Sequence, residues 1–92
     1  MKTNPIPTMT IGPFVVKPVV FPNPSIHGFE VFHEKERLGG GRVHPEGFLV
    51  NGKRKPMPTI RSAIRQMIKR RAEKAHKEMR LMQRIMMDLH KW

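Results

Sequence analysis

The chain has 92 residues, with 18 Lys plus Arg against seven Asp plus Glu, a net charge of +11 and a pI near 11.3. That length holds one small domain at most, and that charge repels itself unless nucleic acid or an anionic membrane surface offsets it. The absence of cysteine excludes a disulfide framework, a thiolate metal site and a cysteine nucleophile.

Residues 1–27 read as an extended, proline-rich arm. Pro5, Pro7, Pro13, Pro18, Pro22 and Pro24 remove backbone donors and push their neighbours into extended conformations, which excludes helix. Between them lie Phe14, Val16, Val20 and Phe21, apolar residues that a floppy tail would not need. The arm is therefore expected to strap over another protein and bury these four side chains there. Runs such as Phe14 to Val16 end at Lys17 and Pro18, far short of the ~20 apolar residues that span a bilayer. The N-terminus also lacks the pattern of a secretory signal or a transit peptide, so a soluble, non-secreted protein is expected.

Residues 28–58 contain the β signal. Phe29 to His33 and Phe48 to Val50 are strand-like, Asn51-Gly52 supplies left-handed turn dihedrals, and Gly39-Gly40-Gly41 and Pro45-Glu46-Gly47 mark loops. A small antiparallel hairpin unit follows, of a kind that is marginal alone in water. Lys53-Arg54-Lys55-Pro56-Met57-Pro58 then forms a basic linker before Thr59, whose hydroxyl suits a helix N-cap. Cations beside a helix N-terminus oppose its dipole, a conflict that a nearby phosphate would remove.

Residues 59–92 read as one long basic amphipathic helix. Ile60, Ile64, Met67, Ala72, Ala75, Met79, Met82, Met86 and Leu89 make eight steps over 29 residues. The mean step of about 3.6 is that of a straight α-helix. From Thr59 onward ten Lys or Arg meet only Glu73, Glu78 and Asp88, so pairs at helical spacing cannot neutralise the polar face. An RNA-binding set of Arg42, Lys53, Arg54, Lys55, Arg61, Arg65, Lys69, Arg70, Lys77, Arg80 and Arg84 follows. Ile64, Met67, Met79, Met82, Met86 and Leu89 are assigned to protein contacts, because the N-terminal half offers little to cover a ~50 Å helix. Arg71, Lys74 and Glu78 interrupt this apolar face, which disfavours a long homodimeric coiled coil.

No catalytic constellation is present, and no enzyme activity, cofactor or small-molecule substrate is expected. Glu34 and Glu36 flank Lys35 in an expected loop, and His27, His33 and His44 match no closed zinc motif. Gly39-Gly40-Gly41 before Arg42 lacks the ending of a nucleotide-binding loop, though it would let a nucleic-acid backbone approach.

The fold expected from these pieces is mostly irregular and extended, with a small antiparallel β-hairpin unit, one long C-terminal α-helix and no independent globular core. In composition the chain resembles small accessory proteins of ribosomes, and its Met-rich, proline-strapped style resembles the lineage-specific additions of mitochondrial ribosomes. The resemblance implies a structural protein of the mitochondrial matrix, or of the cytoplasm, that binds rRNA and packs on neighbouring ribosomal proteins without forming homo-oligomers. Two other classes share the basic helix: an accessory subunit of a respiratory complex or ATP synthase resting on anionic lipid, and a small DNA-binding protein.

Overall fold

Alternation of side chains organises the first half of the chain. In the computed structural model, which describes residues 5–92, strands β1 (Met9–Ile11), β2 (Phe14–Val20), β3 (His27–His33), β4 (Glu36–His44) and β5 (Gly47–Val50) follow one another. They form one five-stranded antiparallel sheet in the order β1-β2-β3-β4-β5. Phe14 pairs with His33, Val16 with Val31 and Pro18 with Phe29, so one face collects the apolar residues of each strand. Helix α1 (Ile60–Lys74), a 3-10 turn (His76–Glu78) and helix α2 (Met79–His90) cover that face.

This overturns the expectation of a mostly irregular chain without its own core. Phe14, Val16, Phe29, Val31, Leu38 and Val50 from the sheet meet Ala63, Ile64, Met67, Ile68, Met82, Ile85 and Leu89 from the helices, each at most 7% exposed. Of the side chains assigned to partner contacts, Phe14, Val16, Ile64, Met67, Met82 and Leu89 are thus filled in by the protein itself, and Met86 packs half-buried against them. Val20, Phe21 and Met79 stay exposed.

The expected arm is the sheet's first two strands; its residues 1–4 lie outside the described residues. Proline density excluded helix, as it should, but it did not exclude pairing. β1 pairs only with Phe14, Val15 and Val16, so Pro18 lies where β2 has a free edge on that side and a missing donor is tolerated.

Gly39-Gly40-Gly41 is likewise not a loop but the middle of β4. A Cβ at Gly39 would stand 3.5 Å from the Met67 side chain, and one at Gly41 would run into the Leu49 carbonyl. The distance at Gly39 is an ordinary contact with α1, whereas at Gly41 only bare backbone allows β5 to approach this closely. A bulge opposite Val31 and Phe32 turns the extra residue, Leu38, into the core. The left-handed dihedral expected at Asn51-Gly52 is present at Gly52 (φ 82), although the β4–β5 turn itself falls at Pro45-Glu46.

The single helix of residues 59–92 is in fact a hairpin. It starts where expected, with the Thr59 hydroxyl accepting from the Ser62 amide, and breaks at Ala75 (φ −129, ψ 87). Arg61, in the first turn of α1, donates to the Leu89 carbonyl near the end of α2, so the two helices run antiparallel. A straight helix of this length would reach ~50 Å and overhang a sheet whose longest strand spans ~30 Å. Folding back places both halves of the apolar stripe on the sheet, within a body of 39 × 25 × 22 Å.

The isolated chain should accordingly unfold in one cooperative thermal transition, followed by circular dichroism. Leu89→Ala and Ile64→Ala, each at a fully buried site, should cost about 2–5 kcal/mol. A shallow, non-cooperative melt of the wild type would contradict a core of this kind.

Candidate nucleic-acid interface

Cations divide into those engaged by the fold and those left at the surface. Arg71 is the most engaged: its Nε donates to Glu78 at 2.7 Å, and its terminal nitrogens reach Glu36 at 3.1 Å and the Arg37 carbonyl at 2.6 Å. The Glu78 hydrogen bond holds the guanidinium above its ordinary pKa, and the same bond holds the Glu78 carboxyl below 4.5. Arg37 pairs with Glu30 at 3.4 Å, and Lys91 stands 4.0 Å from Asp88. Among the described residues no other Lys or Arg has a carboxylate within reach.

The sequence-assigned RNA-binding residues fall into three groups. Arg65 and Lys69 are exposed at a spacing of one turn along α1, and Arg80 and Arg84 repeat that spacing along α2, so the hairpin carries two basic ridges side by side. Lys77 is exposed in the 3-10 turn that joins them. Arg42 on β4 and Lys53 in the turn after β5 line one cleft, and Arg54 and Lys55 follow in the exposed linker. That linker is held against the sheet by the Phe48–Met57 backbone pair, whose N–H···O distances are 2.8 and 2.7 Å.

Arg61 and Arg70 belong to neither ridge. Arg61 donates at 2.9 Å to the Leu89 carbonyl at the negative end of α2, which also accepts from the Trp92 amide at 3.2 Å. Arg70 donates to the Asn51 carbonyl and lies across Gly52. Both guanidinium groups help hold the protein's own turns.

The opposite face of the sheet carries no helix, and sequence reasoning assigned it no role beyond Arg42. Cross-strand partners on that face are Val15 with Phe32, Lys17 with Glu30, Phe32 with Arg37, and Arg42 with Leu49. The Lys17 ammonium sits 5.1 Å from the centre of the Phe32 ring. Phe21, from the β2–β3 loop, lays its ring over Gly28 and is 37% exposed. A cleft of about 260 Å³ opens beside it, with Arg42, Leu49 and Lys53 in its lining. The signal for this face was the alternation Val15, Lys17, Val19, legible only once Phe14–Val20 is recognised as a strand.

A second missed feature is the contact of His33 with Asp88, Nε2 to Oδ2 at 2.9 Å, which fastens β3 to α2. The ring packs edge-on to Phe14 at 4.9 Å between centroids, and a cleft of about 560 Å³ passes the pair, lined also by Lys35 and Arg84. Among the described residues no group of His, Asp or Glu is placed to hold a metal ion, and no helix is long and apolar enough to cross a membrane. Comparison with protein-family models, curated proteins and solved structures gives no match to this chain.

The Arg71–Glu78 bond carries a pH dependence. Glu78 is lowered in the folded state, so its contribution is complete above 4.5 and drains away as the pH falls through the lower folded value. Thermal midpoints measured from about pH 6 to about pH 3 should decline less steeply for Glu78→Gln than for the wild type. Arg71→Ala, which also leaves Glu36 and the Arg37 carbonyl without this donor, should lower the midpoint more than Glu78→Gln at neutral pH.

Proposed function

We propose that the protein is a structural RNA-binding component of a ribonucleoprotein particle, with ribosomal RNA and neighbouring ribosomal proteins as its partners. The observation that carries this reading is the pair of basic ridges, Arg65 and Lys69 beside Arg80 and Arg84, with no carboxylate partners among the described residues. Packed helices lie about 8–10 Å apart, so each ridge can follow its own line of phosphates. Contacts of this kind recognise the shape of a folded RNA rather than its bases.

The fold changes the grounds for this reading. Lack of a core had argued for a protein that folds only on a large particle, and that ground is removed. The charge argument remains, and it is supported by exposed cations without carboxylate partners along both helices. A membrane-lying accessory subunit would need the apolar stripe of the helices for lipid, yet Met82 and Leu89 are fully buried against the sheet. DNA binding shares the phosphate chemistry but gains no helix placed for groove reading beyond these ridges.

Binding to a structured RNA should weaken steeply with salt, and the fourfold variant Arg65→Gln, Lys69→Gln, Arg80→Gln, Arg84→Gln should reduce the log–log salt slope by about 3. Tagged protein should sediment with a large particle that ribonuclease dissolves. Salt-independent binding, or co-sedimentation with membranes that survives ribonuclease, would overturn the proposal.

A further inference from the structure

We propose that the uncovered face of the sheet is a platform for a single-stranded nucleic-acid segment, a site distinct from the two helical ridges that rests on, and extends, the RNA-binding reading. Two aromatic rings are held there by the fold. Phe32 stands in the row that joins Val15 to Arg37, and its outer side is open to the Lys17 ammonium at 5.1 Å. Phe21 is seated on the sheet because position 28 is glycine; a Cβ there would collide with the ring. Gly28 and Phe32 are four residues apart on β3, which separates the two rings by about 13 Å along the strand.

The charge on this face selects the occupant. Lys17, Arg37, Arg42 and Lys53 surround the rings, whereas Glu30 is the one acid at an outward strand position and is held by Arg37 at 3.4 Å. An apolar protein surface would leave those cations without partners. A duplex would satisfy them but could not place a base on either ring, because its bases are stacked and paired. An unpaired strand does both: bases stack on Phe32 and Phe21 while Lys17, Arg42 and Lys53 meet the phosphates that link them. Lys17, already over the Phe32 ring, has only to swing aside to a phosphate as the base arrives. Selection is by strandedness, not by sequence, since every base has a face to stack.

The test uses the full chain and fluorescence anisotropy with two labelled probes, an unpaired RNA of about 10 nucleotides and a blunt RNA duplex of equal charge, plus the DNA version of the single strand. Phe21→Leu with Phe32→Leu keeps apolar cover but removes the stacking surface. The expected result is a loss of about tenfold on the single strands, RNA and DNA alike, with duplex affinity and the thermal midpoint unchanged. Unchanged single-strand affinity in the double variant overturns the platform while leaving the electrostatic reading intact. An equal loss on single strand and duplex overturns it as well, because the rings would then serve only to shape the surface. No salt-dependent binding of the wild type to any probe would remove the RNA-binding reading itself. A loss confined to RNA would point to the 2′-hydroxyl and overturn stacking as the main contribution.

Discussion

The Arg71 guanidinium stands where the end of α1, the 3-10 turn and the β3–β4 hairpin meet. It binds Glu78 beyond the helix break, Glu36 at the start of β4 and the Arg37 carbonyl beside it. A planar fork with five donors can hold three acceptors in fixed directions, which a lysine could not. With this one side chain in place the chain reverses after Lys74 and α2 returns along α1. At the far end of the hairpin Arg61 closes the same arrangement on the Leu89 carbonyl. His33 with Asp88, at 2.9 Å, ties β3 to α2. Apolar burial supplies most of the stability, but these polar ties decide which way the helices lie on the sheet.

A consequence is that the two surfaces of the molecule differ in kind. The helical layer shows the solvent cations on stems, with Met79, Leu81, Met87 and Trp92 exposed among them. The bare sheet shows rings and β-branched side chains with cations among them. Electrostatic contact with a phosphate backbone suits the first, and contact with exposed bases suits the second. Arg42 and Lys53 line a cleft beside Phe21 on the bare sheet, so under the RNA-binding proposal the protein would present two sides to a folded RNA.

Much of the candidate surface was legible in the sequence, because net charge and the scarcity of acids after Thr59 do not depend on how the chain folds. The exposed positions of Arg65, Lys69, Arg80 and Arg84 follow from helical period within each segment. Arg61 and Arg70 could not be separated from them by any local signal, since their acceptors are 28 and 19 residues away, whereas Arg71 was set apart by its place on the apolar side of the helix. The bare face was hidden for a different reason. The first 27 residues were read as an extended arm on another protein, and without β2 in the sheet there is no alternation to read and no partner on that side for Phe32.

Composition and local pattern by themselves determined a basic chain without thiol chemistry, an N-capped helix from Thr59, short β segments around Phe29 and Phe48, and a helical period that continues through Ala75. That period led to a reading of one helix where there are two, because the same stripe serves either geometry and no Gly or Pro marks the turn. The tertiary structure decided it: an apolar sheet face about 30 Å long needs cover, two short antiparallel helices cover it and one long helix cannot. That same choice left the other sheet face open, and it turned Phe14, Val16, Met82 and Leu89 from expected partner contacts into the protein's own core. Burial is a property of pairs of surfaces, and only the fold says which surfaces meet.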